Sequence, residues 1–185
     1  MSSTYDALND KLVAFIGAQK MFFVGTAPLA GDGSVNLSPK GYQSFVVIDH
    51  RTVAYLDLGG SGIETHAHVT ENGRITFMFC AFEGAANIVR IYGRGEAFSF
   101  DHPRYAELRP LFDLPQAARG IILCHIHRVT DACGWGVPFY DYRGERDQLI
   151  RYIDAKTPED WFESRYTRNA KTLDGLPGLV RPEQK

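Results

Sequence analysis

The chain has 185 residues, of which 44% are hydrophobic, 12% aromatic and 23% charged, a composition typical of one soluble domain with a single sizeable core. Its formal net charge of −2 excludes the strongly basic surface that nucleic acid or an anionic membrane would need. No apolar run approaches the roughly 18 residues of a membrane-spanning helix, and the first residues lack the basic start and apolar stretch of a signal peptide. We therefore expect a cytoplasmic protein with no nucleic-acid or membrane partner.

The first part of the chain is predicted to begin with a helix and to continue as short strands. Apolar residues recur at three- and four-residue steps from Tyr5 to Gln19, which predicts a helix with a weak capping box of Ser3 and Asp6. Gly73 is predicted to end a second helix. Strands are predicted at residues 21–26, 35–38, 43–48 and 52–58, and the second helix at residues 63–72.

The rest of the chain is predicted to hold the longest strands and the C-terminal helices. The pattern predicts strands at residues 74–82, 87–98 and 121–129, and helices at residues 101–112, 146–156 and from 157 onward. Gly93 and Gly95 inside one strand indicate a bulge or a barrel bend. Pro103 lies in the first turn of one helix, while Thr157 caps another that Pro158 begins. The Gly- and Pro-rich tail, residues 173–185, is predicted to be loop or disorder.

Short adjacent strands joined by turns favour an antiparallel sheet, and glycine-kinked long strands favour its closure into a barrel. The predicted fold class is therefore α+β, built on a small barrel.

Two H-x-H pairs raise the question of a metal site. His125 and His127 lie in a predicted strand, where alternation places both on one face, whereas His66 and His68 lie in a predicted helix, where they diverge. No third ligand follows at a diagnostic spacing, so no metal site is predicted, and the histidines are interpreted as polar groups on a barrel wall. The three cysteines form no C-x-x-C motif and indicate a reducing compartment without structural zinc.

A glycine-rich loop, Gly59-Gly60-Ser61-Gly62, joins a predicted strand to a predicted helix. It is not a Walker loop, because no Lys-Ser or Lys-Thr follows it. Free backbone N–H groups and the helix dipole nevertheless favour an anion at this point, and Ser61 and Thr65 add hydroxyl donors. The alternative is an ordinary flexible connection.

Two further passages are unusual. Pro39 removes a hydrogen-bond donor from Ser38-Pro39-Lys40 and so indicates a strand edge or bulge, from which Lys40 projects toward a ligand or simply into solvent. Trp135 lies between two glycines with little local packing, so it is predicted to insert into a partner subunit, a ligand or the core of its own domain.

These passages, in this order, resemble the pyridoxamine 5′-phosphate oxidase-like, FMN-binding split-barrel family, in particular its small bacterial members of undefined substrate. No single piece is specific, but the ordered set is. The resembling stretches are residues 22–26, 35–41, 53–62, 64–65, 71–77, 89–95 and 133–142.

The resemblance implies a homodimer of six-stranded antiparallel split β-barrels with flanking helices and two FMN sites at the interface. One domain would span residues 1–185, with a barrel core at about 20–132 and a C-terminal helical extension at about 143–172. The implied flavin contacts are Ser38, Pro39 and Lys40 along the ring, Gly60, Ser61 and Thr65 at the phosphate, and Tyr55 and Trp135 lining the slot, the latter from the partner. His68 is a further candidate for the phosphate, together with His66 and Arg74.

The chain also departs from the family pattern. Many members have an Arg where this chain has Val35 and a Lys where it has Thr65, and loss of both cations would weaken FMN binding by a few kcal/mol unless other donors compensate. The true oxidases end with a Trp and an Arg-x-His-Asp-Arg-like segment, whereas this chain offers only Trp161, Arg165 and Arg168. A true pyridoxamine 5′-phosphate oxidase is therefore not expected.

Three functional hypotheses follow from the resemblance. The first is an FMN-dependent oxidoreductase that acts on an unidentified small molecule with a nicotinamide or another electron donor, with no acid or base residue singled out. The second is a non-catalytic flavin- or haem-binding module on the same barrel, and the third is a barrel without cofactor that serves as a dimeric interaction protein. The deazaflavin F420 remains an alternative to FMN.

Overall fold

The structure, a computed structural model, describes residues 2–182. Its five helices are α1 (Asp10–Ala18), α2 (Glu64–Asn72), α3 (Pro103–Leu108), α4 (Gln148–Asp154) and α5 (Pro158–Arg168), with a 3₁₀ turn at Arg109–Leu111. Its eight strands are β1 (Ser3–Tyr5), β2 (Phe22–Thr26), β3 (Asn36–Lys40), β4 (Phe45–Asp49), β5 (Thr52–Asp57), β6 (Arg74–Cys80), β7 (Ile88–Ser99) and β8 (Gly120–Ala132).

The strands form one antiparallel sheet in the order β3-β2-β6-β7-β8-β5-β4, with β1 paired to β8. The sheet curls so far that β4 faces β2. The distance of 5.0 Å between the ring centroids of Phe45 and Phe22 shows this closure. Its two edges, β3 and β4, are not paired with each other, which leaves the barrel split. The predicted α+β split barrel is thus confirmed, with β3 at an edge as Pro39 indicated, although the described sheet has eight strands rather than six.

Two apolar cores lie on opposite faces of the sheet. Inside the barrel, Phe22, Phe77 and Phe79 pack with Tyr55, and α1 adds further apolar side chains. Outside it, α4 and α5 cover the far face of β5 and β8, where Leu56 and Trp161 belong to a second cluster that also holds Phe98. Strand β5 is therefore buried on both faces.

The N-terminal prediction needs a correction. Helix α1 begins at Asp10, where the side chain of Asn9 accepts a hydrogen bond from the backbone N–H of Leu12 at 3.0 Å, and the capping box of Ser3 and Asp6 does not form. Ser3–Tyr5 instead forms strand β1, anchored by the Ser3 amide, which donates to Asp131 Oδ1 at 2.9 Å. Periodicity along the chain cannot reveal that contact, because its partners are 128 residues apart.

Most of the other local predictions are confirmed. Gly73 ends α2 in the left-handed conformation, Thr157 caps α5, and the β7–β8 register shifts between Tyr92 and Gly93. The helix predicted at residues 101–112 stops earlier, because α3 ends at Leu108 and a 3₁₀ turn follows. In the tail, residues 173–182 form neither helix nor strand, and the predicted tail's last three residues lie outside the described ones. No helix within residues 2–182 combines the length and apolar character needed to cross a bilayer.

Gly93 provides a test of the bulge. A Cβ at this position would collide with Cys124 Sγ and would lie 2.6 Å from the carbonyl oxygen of His125. We expect Gly93→Ala to lower the free energy of unfolding by about 2 kcal/mol, because overpacking forces neighbouring groups to shift. Urea denaturation measures the change.

Gly17→Ala is the matched control, since a Cβ on this helical glycine would meet nothing within 4 Å. It should leave the protein as stable as before or stabilise it by about 0.5–1 kcal/mol. Equal effects of the two substitutions would contradict the close approach of β7 and β8 at Gly93.

Candidate functional site

A buried carboxylate, Asp57, ends strand β5. It alternates with Val53 and Tyr55 and so shares their face of the strand. Its Oδ2 accepts a hydrogen bond from Arg119 Nε at 2.9 Å, and its Oδ1 lies 3.8 Å from Lys40 Nζ. Burial alone would raise the pKa of Asp57, but Arg119 and Lys40 outweigh burial and hold this pKa well below its ordinary range. Asp57 is therefore ionised at neutral pH.

The glycine loop that follows β5 is held from inside the protein. Asp57 Oδ1 accepts a hydrogen bond from the Gly59 amide at 3.2 Å, and Gly59 has a positive φ of 74°. Arg119 Nη1 donates to the Ser61 carbonyl at 2.7 Å, and Arg165 Nη1 donates to the Gly59 carbonyl at 2.9 Å. Among residues 2–182, the amides of Gly60, Ser61 and Gly62 donate no hydrogen bond. The loop thus turns the Gly59 and Ser61 carbonyls inward and leaves three of its amides unbonded in the described structure.

Helix α2 begins directly after this loop and lacks a side-chain cap. Ile63 occupies the N-cap position, where it cannot accept a hydrogen bond from the first-turn amides. The Glu64 carboxylate folds back against Gly62 and accepts a hydrogen bond from the Leu173 amide at 3.2 Å. Because the N-terminus of a helix carries partial positive charge, an anion would be stabilised here on the side of Gly60 and Ser61, away from Glu64.

A cavity of about 410 Å³ opens beside the loop, between β3 and the end of β5. This volume lies within the range of small-molecule sites. Leu149, from α4, closes one side, since its side chain would lie 3.2 Å from a Cβ placed on Gly60. The lining residues are Leu37, Ser38, Pro39, Lys40, Gly41, Tyr42, Ser44, Leu56, Asp57, Leu58, Gly59, Gly60, Ser61 and Leu149.

Tyr42 reaches the cavity from a strained turn between β3 and β4. Tyr42 and Gln43 have positive φ values of 61° and 52°, a conformation that costs about 1–2 kcal/mol for each non-glycine residue. The turn is held by a hydrogen bond from the Ser44 amide to the Gly41 carbonyl, and the Tyr42 hydroxyl donates to the Arg146 carbonyl at 2.7 Å. The C-terminal extension therefore supports this wall of the cavity as well.

The charges around the loop do not balance locally. Lys40 and Arg119 share the carboxylate of Asp57, and the carboxylate of Glu64 lies against Gly62. Arg165 has no carboxylate partner among the described residues although it is only 3% exposed. Buried charge without compensation is costly. The residues present therefore fit a group that is anionic at one end, with its charge at the loop and its body in the cavity.

A row of polar side chains connects β3 to α2. One face of β3 carries the side chains of Asn36, Ser38 and Lys40, since alternate residues of a strand point the same way. In the sheet these three residues lie opposite buried residues of β2. Asn36 Nδ2 donates to Thr65 Oγ1 at 3.0 Å, and Ser38 Oγ donates to Asn36 Oδ1 at 3.1 Å. These bonds fix the position of Thr65 at the start of α2.

The structure brings together only some of the predicted contacts. Ser38, Pro39, Lys40, Gly60 and Ser61 line one cavity. Their roles toward a cofactor remain predictions.

Four other predicted contacts lie off the cavity wall. Tyr55 is inside the barrel, with its ring centroid 5.7 Å from Lys40 Nζ, and its buried hydroxyl has no hydrogen-bond partner among residues 2–182. Thr65 and His68 are buried on α2, and His68 Nδ1 lies 3.1 Å from Thr26 Oγ1 at the end of β2. Trp135 is 84% exposed beyond the end of β8.

The sequence analysis did not single out Asp57 or Arg119, and it named Arg165 without predicting its contact with the glycine loop. Asp57 carried a usable signal, because it stands alone as a charge within the apolar run of β5. Arg165 follows Trp161 by four residues on α5, a spacing that places both on one helix face. Arg119 directly precedes β8 and carried no such signal.

No metal centre is evident in the described part of the chain, where no three His, Cys, Asp or Glu side chains come together. His125 is exposed and its Nε2 lies 2.9 Å from Glu96 Oε1. His66 and His68 are buried on α2.

Comparison with known proteins identifies the family. Residues 8–117 match the family described as pyridoxamine 5′-phosphate oxidase. A curated relative from Aspergillus flavus, described as pyridoxamine 5′-phosphate oxidase family protein ustO, is 35% identical over 196 aligned residues, covering 95% of this chain and 77% of the relative. The chain therefore belongs to the pyridoxamine 5′-phosphate oxidase family.

Two solved structures support the fold. A variant of HupZ from Group A Streptococcus has a TM-score of 0.51 at 17% identity, and the match covers 67% of this chain and 98% of the HupZ chain. A protein from Lactobacillus delbrueckii, described as a candidate pyridoxamine 5′-phosphate oxidase, has a TM-score of 0.51 at 15% identity, and the match covers 68% of this chain and 94% of the other. At these identities the likeness concerns the fold alone.

His66 provides a test of burial at the site. Burial lowers its pKa from 6.5 to about 4, so the unfolded chain binds more protons than the folded one between these pH values. Stability should therefore fall by about 3 kcal/mol as the pH drops through this window. His66→Gln should remove that part of the loss, as measured by urea denaturation near pH 7 and near pH 4.5.

His127→Gln, at an exposed position of β8, is the control and should lose stability on acidification as the unmodified protein does. A His66→Gln variant with an unchanged pH dependence would contradict the buried, neutral state of His66.

Proposed function

We propose that this protein is a homodimeric flavoprotein that binds FMN in the cavity beside the glycine loop and acts as an FMN-dependent oxidoreductase on a small organic molecule. The observation that carries the proposal is the glycine loop, whose Gly59 and Ser61 carbonyls are bound by Arg165 and Arg119, while the amide that follows each of them donates no hydrogen bond among the described residues. A phosphate needs such donors and a positive surrounding, and a flavin ring needs an adjoining slot.

The proposed contacts follow from the geometry. The free amides of Gly60 and Ser61, the Ser61 hydroxyl and the start of α2 would bind the phosphate. Ser38, Pro39 and Lys40 would lie along the ring. Asp57 would hold Lys40 beside the cavity, since Asp57 Oδ1 and Lys40 Nζ are 3.8 Å apart.

A bound flavin would supply the redox chemistry, passing a hydride or electrons between a nicotinamide or other donor and the substrate. The protein residues would bind and orient both reactants. Asp57 is unsuited to accept a proton at neutral pH, because Arg119 and Lys40 stabilise its ionised form. The substrate is not proposed to be pyridoxamine 5′-phosphate, because the C-terminal segment of the true oxidases is missing.

A non-catalytic flavin carrier is the second candidate. Among the described residues that line the cavity, Asp57 is tied into an ion pair and burial raises the pKa of Tyr42 above its ordinary value of 10.0. Neither is poised to exchange a proton near neutral pH. No histidine lines this part of the cavity, so the haem alternative gains no support from it.

The two candidates differ in turnover. Protein loaded with FMN should be yellow, and NADH or NADPH should reduce it rapidly if it is an oxidoreductase. Reduction by these donors with no productive reoxidation by any tested acceptor would favour the carrier. Failure to bind FMN on reconstitution would contradict both, and F420 can then be titrated in the same way.

Cofactor affinity tests the proposed phosphate site. We expect Ser61→Ala combined with Thr65→Ala to weaken FMN binding tenfold or more, on the order of 1.4 kcal/mol. The loop would lose the Ser61 hydroxyl, and the start of α2 would lose the Thr65 hydroxyl, to which Asn36 donates. Flavin fluorescence quenching measures the dissociation constant. Thr70→Ala, at an exposed position later on α2, is the control. Unchanged affinity in the double variant would place the phosphate elsewhere.

The proposed dimer is supported by exposed apolar groups. Val35, just before the edge strand β3, is 76% exposed, and Leu37, on β3, is 66% exposed. Trp135 is 84% exposed. Large apolar side chains exposed to this degree are candidates for burial on association. The three cysteines of the protein are free, which supports the proposal that the protein is located in the cytoplasm.

Sedimentation tests the dimer. We expect a mass of about twice the chain at micromolar concentration, because burial of these apolar side chains favours association. A monomer under those conditions would contradict an FMN site shared between subunits.

A further inference from the structure

Helix α5 places a buried arginine directly against the glycine loop. The guanidinium carbon of Arg165 lies 4.0 Å from the ring centroid of Trp161, which is itself fully buried. Its Nη1 donates to the Gly59 carbonyl at 2.9 Å, and its Nε and Nη2 lie 3.3 Å and 3.1 Å from Ser164 Oγ. The stack on Trp161 and the bonds to Ser164 fix the guanidinium, so its remaining donor is aimed at the loop.

The planarity of the peptide bond gives this contact a consequence. In a trans peptide unit the C=O and the following N–H point in opposite directions. The Gly59 carbonyl points inward to Arg165, so the Gly60 N–H must point outward, where no described acceptor meets it. In the same way, Arg119 binds the Ser61 carbonyl and turns the Gly62 N–H away. Arg165 therefore sets the direction of a donor that it does not itself touch.

We infer that Arg165 is a positioning residue that holds the Gly59–Gly60 peptide in the orientation needed to bind the FMN phosphate, so that docking of α5 and binding of the phosphate are coupled. The inference rests on the proposed FMN site. It assigns to the C-terminal extension a part in cofactor binding, and it implies that the coupling concerns the phosphate and not the ring.

The test compares FMN with riboflavin, which has the same ring and ribityl chain but no phosphate. In the unmodified protein FMN should bind more tightly than riboflavin. Arg165→Met keeps much of the side-chain volume but removes the donor and the charge. We expect it to weaken FMN at least tenfold and to change riboflavin affinity less than twofold, as measured by flavin fluorescence titration.

Two variants on the same helix sharpen the comparison. Arg165→Lys keeps the positive charge and a donor and should restore part of the FMN affinity. Arg168→Met removes an exposed arginine that donates to the Tyr152 hydroxyl, and it should leave both affinities unchanged. Circular dichroism checks that each variant is folded.

The outcomes separate the inference from the proposed function. If the unmodified protein binds no FMN, the proposed function fails. If it binds FMN but Arg165→Met weakens both ligands equally, or neither, the positioning role is overturned while the flavin site stands.

A measurement on the unmodified protein covers the case in which Arg165→Met does not fold. Coupling requires that FMN stabilise the docked α5, so amide hydrogen exchange in residues 158–168 should slow when FMN is added and slow much less with riboflavin. Equal protection by the two ligands, or none by FMN, would overturn the inference.

Discussion

The buried ion pair between Asp57 and Arg119 is the interaction on which this end of the barrel depends. Asp57 ends β5 and Arg119 directly precedes β8, so their 2.9 Å contact joins the ends of two paired strands. Arg119 Nη1 also donates to the Ser61 carbonyl, and Asp57 Oδ1 also accepts a hydrogen bond from the Gly59 amide. Removal of Asp57 would leave the buried Arg119 without its carboxylate partner, a change that typically destabilises a protein by about 3–5 kcal/mol. One pair thus sets the strand ends, the loop and the position of Lys40.

The C-terminal extension is part of the same construction. Because α4 and α5 cover the outer face of β5, the strand that carries Asp57 is buried on both sides. From this extension, Leu149 forms part of the cavity wall and the Arg146 carbonyl holds the Tyr42 turn. Arg165 binds the glycine loop. The family match ends at residue 117, so Arg119 and both C-terminal helices lie beyond it. Two buried arginines, Arg119 and Arg165, therefore reach the glycine loop from the part of the chain that follows the family match.

Local features of the fold could be predicted because their causes are local. Gly73 ends α2 since only a residue tolerant of positive φ fits there, and Thr157 caps α5 through its own side chain. The glycine loop and the β3 edge at Pro39 were recognised for the same reason.

The remaining features depend on contacts between distant parts of the chain. Strand β1 needs Asp131, the loop needs Arg165, and Asp57 needs Arg119, and no periodicity in one sequence encodes these partners. The sequence does indicate that Asp57 needs a partner, since a carboxylate in an apolar strand requires a buried cation. It does not indicate which residue supplies that cation.

The long reach of Arg165 also sets the order in which the protein can be assembled during synthesis. Arg165 and Gly59 are separated by 106 residues and Arg119 and Asp57 by 62. Domains fold as their segments leave the ribosome, and contacts of such separation form late. The strands of the barrel can pair while α5 is still within the ribosome, but the glycine loop then lacks one of its two arginines. Its final support arrives only when nearly the whole chain has been made, so a nascent or C-terminally shortened chain would carry a barrel with an unsecured loop.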